Sequence, residues 1–320
     1  MFKVIQSSAI LFSTALLLSH SQSAIAAPDN AGLNAVESLD EPEVTAANPA
    51  AAEDLYNRGN AAYEAGDKKA AIEQYSQAIA INPKHANAHN NRANAKLSLD
   101  DKSGAVKDYS KAIAIDPSNA ITYSNRANVS YALGDKAGAI KDYSKAIDLS
   151  PQNAGAYYNR AHAKSTLGDH QGAVADYSQA ITIDPKNANA LYNRGNAKLT
   201  LKDYPGSIED YNQSIAINPQ NANAFYNRGV AKSAVGDKDG AIADYNQAIT
   251  INPNAVRAYS ERGDVKLSLG DKGGAIADYE KAAKFYQEKG QEPKYQEAMR
   301  RIQELKGQPE AEKTLKSSSF

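Results

Sequence analysis

Residues 154–187 read AGAYYNRAHAKSTLGDHQGAVADYSQAITIDPKN, and residues 188–221 read ANALYNRGNAKLTLKDYPGSIEDYNQSIAINPQN. The two stretches align over all 34 positions without a gap. The same register extends in both directions and gives seven units, 52–85, 86–119, 120–153, 154–187, 188–221, 222–255 and 256–289. A fixed period of this length predicts a solenoid, in which each repeat buries its apolar face against the next one.

Each unit carries the signals of two helices joined by a tight turn. We number the positions of a unit from 1 to 34. Asp stands at position 16 of every unit, usually after a Gly, as in Gly168 and Asp169. The Gly ends one helix in the left-handed conformation and the Asp caps the next helix. A proline near position 32, such as Pro185, ends the second helix.

Other repeated positions predict how the helices pack. Positions 8, 20 and 27 hold Gly, Ala or Ser in every unit, which allows the helices to approach closely. Position 24 is always Tyr, a ring large enough to fill the space between helix pairs. Position 7 is Arg in all seven units and position 23 is Asp in six, and we expect these two side chains to pair within the structure.

Small residues at positions 8, 20 and 27, an aromatic residue at 24 and Pro at 32 resemble the tetratricopeptide repeat. The resemblance covers residues 52–289 and departs from the family pattern at position 7, where Arg replaces the common Leu. It implies an all-α, right-handed superhelical solenoid of seven helix pairs. It also implies that the first helices line a concave groove, with ligand contacts mainly at positions 2, 5, 6, 9, 12 and 13.

The groove positions hold repeated polar side chains, which are the candidate peptide-binding residues. Position 6 is Asn57, Asn91, Asn125, Asn159, Asn193 and Asn227, and then Glu261. Position 9 is Asn60, Asn94, Asn128 and Asn196 in four units, with His162, Val230 and Asp264 in the others. Position 5 adds Tyr56, Tyr158, Tyr192 and Tyr226. A carboxamide donates and accepts hydrogen bonds, so it can pair with the backbone of an extended peptide without reading its side chains.

The Asn series also resembles that of the repeat domain of O-linked N-acetylglucosamine transferase, and this implies sequence-tolerant binding of extended polypeptide. The catalytic domain of that enzyme has no counterpart here. An alternative explanation is that near-identical repeats copy residues that have no role. Asn is a poor helix former, so its repeated use in mid-helix favours a partner for the side chain.

The two ends of the chain differ from the repeats. Residues 1–26 have a short charged start, an apolar run and an Ala24-Ile25-Ala26 site, which is typical of a cleaved signal peptide. This predicts an exported protein in the periplasm or another extracytoplasmic compartment, with no stable membrane insertion after cleavage. Residues 27–51 are predicted to be a flexible acidic leader, 290–306 a capping helix and 307–320 a disordered tail.

Composition narrows the classes of function. Lys plus Arg number 36 and Asp plus Glu 37, so the chain has no overall positive charge to attract nucleic acid. The absence of Cys excludes disulfides, thiol catalysis and thiolate metal sites. We find no phosphate loop, nucleophile elbow or zinc-protease motif, and we expect no cofactor, metal or catalytic residue.

The sequence therefore predicts a non-enzymatic scaffold for protein–protein interaction, which binds an extended peptide segment in the concave groove and takes part in the assembly of an envelope or membrane complex. The alternative is a carbohydrate-binding module of an export assembly, because Asn and Tyr also suit hydroxyl-rich chains. Glycan sites often expose Trp, and this chain has none. The sequence leaves open the partner's identity, the pathway, the oligomeric state, and whether residues 1–26 are cleaved or retained as a membrane anchor.

Overall fold

The computed structural model describes residues 48–307, and all regular secondary structure in this range is α-helical. The predicted signal peptide, most of the predicted leader and residues 308–320 of the predicted tail lie outside the described residues. The helices are α1 (Pro49–Glu64), α2 (Lys68–Ile81), α3 (Ala86–Ser98), α4 (Lys102–Ile115), α5 (Ala120–Ala132), α6 (Lys136–Leu149), α7 (Ala154–Thr166), α8 (His170–Ile183), α9 (Ala188–Thr200), α10 (Tyr204–Ile217), α11 (Ala222–Ala234), α12 (Lys238–Ile251), α13 (Val256–Ser268), α14 (Lys272–Glu288) and α15 (Glu292–Gly307).

The first fourteen helices form seven antiparallel pairs, as the repeat pattern predicts. Every second helix begins at the Asp of position 16, whose side chain accepts a hydrogen bond from the backbone N–H three residues on; in α8, Asp169 accepts from Gly172 at 2.8 Å. Gly168 precedes this cap with φ at +88°. Asp100 and Lys202 adopt the same left-handed conformation, both at φ 62°, where their repeats lack Gly.

Small residues and the Tyr of position 24 form the core between helices, as predicted. Tyr75, Tyr109, Tyr143, Tyr177, Tyr211, Tyr245 and Tyr279 are all buried. In the sixth repeat a Cβ added to Gly229 would lie 2.8 Å from Cε1 of Tyr245, so the ring packs directly on the helix backbone there. The small residue at position 8 therefore sets how closely the ring can approach the first helix.

A buried ion network confirms the expected pairing of Arg at position 7 with Asp at position 23. In the fifth repeat Asp210, which is 1 % exposed, accepts hydrogen bonds from Nε and Nη2 of Arg194 at 2.9 and 2.6 Å. Lys198 lies 2.8 Å from the same carboxylate. Nη1 of Arg194 also donates to Ser178 of the preceding repeat at 3.0 Å, so each such network ties two repeats together.

The network recurs in six repeats and is absent from the first. The Arg–Asp pairs are Arg92–Asp108, Arg126–Asp142, Arg160–Asp176, Arg194–Asp210, Arg228–Asp244 and Arg262–Asp278. Burial works against the charged form of Asp108, but hydrogen bonds from His89, Arg92 and Lys96 outweigh it and hold the pKa of Asp108 well below its ordinary value. In the first repeat position 23 is Gln74, and Arg58 pairs with Asp54 on the surface instead.

Two of the predicted segment boundaries differ from the helix bounds in the structure. The leader predicted for residues 27–51 ends sooner, because α1 begins at Pro49. Asn48 caps this helix by accepting a hydrogen bond from Ala51, and Pro favours the first helical turn. The capping helix predicted at 290–306 runs from Glu292 to Gly307, since α14 ends at Glu288 and Gly290 turns the chain with φ at +63°.

The end of the solenoid is covered as predicted. Ala298, Ile302 and Leu305 of α15 are buried and pack in one cluster with Tyr279 and Ala283 of the last repeat. Glu297 and Arg300 of α15 pair with each other in solvent, and Arg301 pairs with both Glu297 and Asp264 of the last repeat. This helix therefore gives the last repeat an apolar partner on one side and presents charge to water on the other.

The first helices lie on the inside of the curve. Within residues 48–307, α1 contacts α3, α5 contacts α7, and α7, α9, α11 and α13 contact in succession, while second helices of neighbouring repeats make no comparable contacts. First helices of neighbouring repeats therefore lie closer to one another than second helices do, as expected for the inner side of a curved solenoid. The solenoid is a right-handed superhelix, and its concave surface is formed by α1, α3, α5, α7, α9, α11 and α13.

Candidate functional site

The carboxamide ladder, meaning the Asn residues at positions 6 and 9 of the first helices, runs along this concave groove. All of the predicted site residues keep some contact with solvent. Asn57 and Asn128 are exposed, and the other predicted residues are half-buried: Asn60, Asn91, Asn94, Asn125, Asn159, Asn193, Asn196, Asn227, Tyr56, Tyr158, Tyr192 and Tyr226. The predicted residues are therefore all accessible from solvent.

Many ladder residues bind each other across the repeat boundary. Nδ2 of Asn91 donates to Oδ1 of Asn60 at 2.9 Å and to the hydroxyl of Tyr56 at 3.1 Å, both in the preceding repeat. Nδ2 of Asn227 in the sixth repeat makes the same two bonds to the fifth repeat, to Oδ1 of Asn196 at 2.8 Å and to the hydroxyl of Tyr192 at 3.2 Å. The ladder thus holds successive first helices in register.

Two further repeats show half of this arrangement. Asn159 donates to Asn128 at 3.1 Å, and Asn193 donates to the hydroxyl of Tyr158 at 3.0 Å. These internal bonds offset part of the helix-propensity cost of mid-helix Asn. The propensity of Asn alone therefore does not require an external ligand, and the evidence for binding has to come from hydrogen-bonding groups that the solenoid leaves unused.

The core tyrosines supply a contact that the sequence analysis missed. Tyr75 donates its hydroxyl proton to Oδ1 of Asn60 at 2.8 Å, and Tyr211 donates to Asn196 at the same distance. Tyr109, Tyr143 and Tyr279 donate in the same way to position 9 of their own repeats. Burial raises the pKa of Tyr75 to about 12, which keeps the hydroxyl protonated as a donor. The constant spacing of 15 residues between positions 9 and 24 is the signal that could have revealed this bond.

Several ladder groups remain available to a ligand. Within residues 48–307 the carboxamides of Asn57 and Asn125 make no hydrogen bond to another group. The side-chain oxygens of Asn159, Asn193 and Asn227 accept no hydrogen bond from this part of the chain either. The Nδ2 groups of Asn60, Asn94, Asn128 and Asn196 donate no hydrogen bond within residues 48–307 either. A polypeptide lying in the groove would therefore meet free donors and free acceptors along most of its length.

The ladder changes character at the C-terminal end. Val230 replaces Asn at position 9 of the sixth repeat, and the buried hydroxyl of Tyr245 has no hydrogen-bond partner within the described residues. In the seventh repeat Glu261 and Asp264 occupy the ladder positions. Burial and the charge of Asp264 raise the pKa of Glu261. Arg301 of α15 forms a salt bridge with Asp264 at 2.8 Å.

Cavities open at both ends of the groove. The first has a volume of about 280 Å³ and lies between the first two repeats; its lining residues are Asn60, Tyr63, Glu64, Tyr75, Asn91 and Asn94. The second measures about 530 Å³ and lies between the last two repeats and α15. Tyr192, Tyr226, Asn227, Arg257 and Lys294 are among the residues that line it. Its size falls in the range of about 300–1,000 Å³ that is usual for ligand-binding pockets.

Residues 48–307 contain no group of three or more His, Cys, Asp or Glu side chains placed to hold a metal ion. No helix in this part of the chain is both long and apolar enough to cross a membrane. The groove presents amides, hydroxyls and a few charges, which are groups suited to holding a ligand by hydrogen bonds and ion pairs.

Solved structures of other proteins share this fold. MamA is 25 % identical over 52 % of this chain and 96 % of its own, with a TM-score of 0.51. YrrB, described as a TPR protein with an unusual peptide-binding site, is 23 % identical over 58 % of this chain and 96 % of its own, with a TM-score of 0.55. A tetratricopeptide repeat protein from Parabacteroides merdae ATCC 43184 is 21 % identical over 78 % of this chain and 99 % of its own, with a TM-score of 0.54.

Family models cover nearly all of the repeats. Models described as tetratricopeptide repeat match residues 43–86, 56–120, 222–255 and 256–291, and one described as TPR repeat matches 127–168, 166–202 and 199–236. No curated protein matches the chain. The matched segments span the seven helix pairs seen in the structure, and the chain belongs to the tetratricopeptide repeat family.

Proposed function

We propose that this protein is a non-enzymatic scaffold that binds an extended peptide segment of a partner protein in its concave groove. The observation that carries the proposal is the set of unused hydrogen-bonding groups on the carboxamide ladder, above all the carboxamide of Asn125 near the middle of the groove. The peptide-binding site named for YrrB is a precedent within the fold, and the proposal for this chain rests on its own groove.

The geometry favours an extended polypeptide as the ligand. Groove amides recur once per repeat, and the backbone of an extended chain offers N–H and C=O groups at regular intervals that such a series can pair with. The half-buried rings of Tyr158, Tyr192 and Tyr226 lie beside the ladder and offer flat contact area at a small cost in side-chain entropy. Such a groove binds the backbone first and reads side chains only where its own residues vary.

The signal-like residues 1–26 favour a place of action outside the cytoplasm. We propose that the bound segment belongs to a component of an envelope or membrane complex and that the solenoid holds this component during assembly. The location is tested by determining the N-terminal sequence and the cell fraction of the mature protein. We expect an N-terminus at Ala27 in the extracytoplasmic fraction. A protein that keeps Met1 and stays in the cytoplasm would contradict the proposed location.

The binding proposal is tested by selecting peptides and then changing Asn125. Randomised peptides of about twelve residues, about 40 Å when extended, are selected on the full chain. Asn125→Ala removes no hydrogen bond of the solenoid and introduces a better helix former, so its stability should equal or slightly exceed that of the wild type. Loss of one or two ligand hydrogen bonds should weaken binding of the selected peptides by about three- to tenfold.

The matched control is Gln179→Ala, which removes an exposed amide from the outer face of a second helix. It should leave affinity unchanged. If Asn125→Ala binds every selected peptide as tightly as the wild type, the groove is not the binding surface. If oligosaccharides compete with the peptides at lower concentration than unlabelled peptide does, the carbohydrate-binding alternative replaces the proposal.

A further inference from the structure

Four lysines form a cationic patch on the outer face of the second and third repeats. Lys107 and Lys111 lie on α4, and Lys141 and Lys145 lie at the same two positions of α6. These are positions 22 and 26 of the repeat, which are one helical turn apart, so the four side chains project from corresponding faces of two second helices. All four are exposed. We call them the outer lysine patch.

The solenoid leaves this patch with a net positive charge. Within residues 48–307 no Asp or Glu oxygen lies within 4.0 Å of the four ammonium nitrogens. Asp108 and Asp142 lie on the same two helices, but they are buried and bound by the Arg of their own repeats. Two exposed carboxylates border the patch, Glu73 on α2 and Asp148 in the last turn of α6. Four free cations therefore face two anions.

The lysines at these positions are confined to one part of the solenoid. In the other five repeats position 22 is Ala or Glu, and position 26 is Gln in four of them and Lys281 in the seventh. No other outer face therefore carries more than one cation at these positions. The near-zero charge of the whole chain conceals this local excess, which directs an anionic partner to the second and third repeats.

A cavity of about 610 Å³ opens beside the patch. Lys141 and Lys145 line it together with Asp148, Ile113 of α4 and Tyr123 of α5. The hydroxyl of Tyr123 makes no hydrogen bond to another residue in the range 48–307. The cavity thus offers two ammonium groups, a free hydroxyl and an apolar wall. Such a site suits a phospholipid headgroup, in which a phosphate adjoins the first apolar carbons.

The type and position of these side chains favour a bilayer as the partner. All four are Lys, whose ammonium group is a point charge on a flexible stem, whereas Arg is the residue suited to fixed, bidentate pairing with a carboxylate. A bilayer presents many anionic groups without a fixed arrangement, which point charges can match. The second helices also form the convex side of the solenoid, and a convex surface can rest on a plane while the concave groove faces away from it.

We propose that the outer lysine patch docks this protein onto the surface of a bilayer that contains anionic phospholipids. Lys141 and Lys145 bind a headgroup phosphate at the cavity, and Lys107 and Lys111 bind neighbouring headgroups. The contact is peripheral, and the groove remains open to a peptide on the side away from the bilayer. This inference goes beyond the proposed function and uses none of the groove residues, so the two are tested independently.

The test measures sedimentation of the protein with vesicles of phosphatidylcholine, prepared with and without phosphatidylglycerol. The protein starts at Ala27, the form expected after signal cleavage. In the patch variant all four lysines of the outer lysine patch are changed to Gln. The control variant makes the same charge change at exposed lysines elsewhere, Lys84→Gln, Lys186→Gln, Lys281→Gln and Lys284→Gln. Circular dichroism should show equal helicity in the three proteins, because every changed side chain is exposed.

We expect the wild type to bind vesicles that contain phosphatidylglycerol and not those of phosphatidylcholine alone. Each lysine near an anionic bilayer strengthens binding about fivefold, so the patch variant should bind more than about a hundredfold more weakly. The control variant should bind like the wild type, and so should the groove variant Asn125→Ala. Raising the salt concentration should weaken binding by the wild type, because salt screens exposed charges.

The inference is wrong if the wild type does not bind vesicles that contain phosphatidylglycerol, or if the patch variant binds them as tightly as the wild type does. It is also wrong if the wild type binds polyglutamate through the patch and leaves the vesicles unbound, because the partner would then be an acidic polypeptide. None of these results bears on peptide binding in the groove, which the Asn125→Ala experiment decides separately.

Discussion

Replacing Asp210 with Ala should destabilise the solenoid far more than any surface change of the same kind. Asp210 is 1 % exposed and is the shared acceptor of Arg194 and Lys198. Its removal leaves a guanidinium and an ammonium group side by side with no counter-charge, and it also releases the bond through which Arg194 fixes its position next to Ser178 of the fourth repeat.

The size of the effect follows from how deeply the cations are held. Breaking a buried ion pair by removing one partner costs about 3–5 kcal/mol. The side chains of Arg194 and Lys198 retain 16 % and 19 % exposure, so both can turn partly toward solvent. We therefore expect the lower end of that range, about 3 kcal/mol.

The matched control is Asp54→Ala in the first repeat, where the Arg–Asp pair has side chains that are 66 % and 59 % exposed. Exposed pairs contribute about 0–1 kcal/mol. The assay is urea unfolding followed by far-ultraviolet circular dichroism, together with hydrogen exchange of α9 and α10, because a solenoid can lose stability locally. Equal destabilisation by the two substitutions would refute the reasoning that buried ion networks hold the repeats together.

Three further predictions concern pH and the ladder. The pKa of Asp108 is depressed in the folded state, so its contribution to stability is present above about pH 4 and is lost as the pH falls below that value. In a plot of unfolding free energy against pH, Asp108→Asn should therefore reduce the loss of stability at acid pH. Val230→Asn should give the unpartnered hydroxyl of Tyr245 an acceptor and raise stability by about 1 kcal/mol in urea unfolding, whereas a loss would show that the apolar contact matters more. Burial raises the pKa values of Tyr75 and Tyr109 to about 12, so ultraviolet titration should show them ionising late, and stability should fall as pH rises from about 10 toward 12. A single tyrosine transition near pH 10 in the folded protein would contradict this.

The sequence predicts the fold almost completely because the same residue types recur at the same positions of every repeat. The Asp caps, the left-handed Gly residues and the small positions act locally, and their physical effects do not depend on which repeat comes next. The pairing of Arg at position 7 with Asp at position 23 is also predictable, since both types recur and a charge facing the core needs a partner.

The candidate site is less predictable, because its hydrogen bonds cross from one repeat to the next. The sequence places Asn91 and Asn60 on one face but does not show that they bind each other. The bond from Tyr75 to Asn60 lies within one repeat, and its constant spacing is visible in the sequence. The cavity at Arg257 and Lys294 depends on the angle of α15 against the last repeat. Packing between helices sets that angle, and no local signal encodes it. The predicted leader overran the start of α1 for a different reason, because the Asn48 cap that begins this helix lies outside the repeat pattern.

The central claim is that an extended peptide lies in the concave groove and is held through its backbone by the carboxamide ladder. A crystal structure of the full chain with a selected peptide tests it most directly. The account predicts an extended chain along the first helices, with a backbone N–H or C=O at about 2.7–3.2 Å from the carboxamide of Asn125. A peptide bound to the second helices, or one that fills the groove without meeting the ladder, would contradict it.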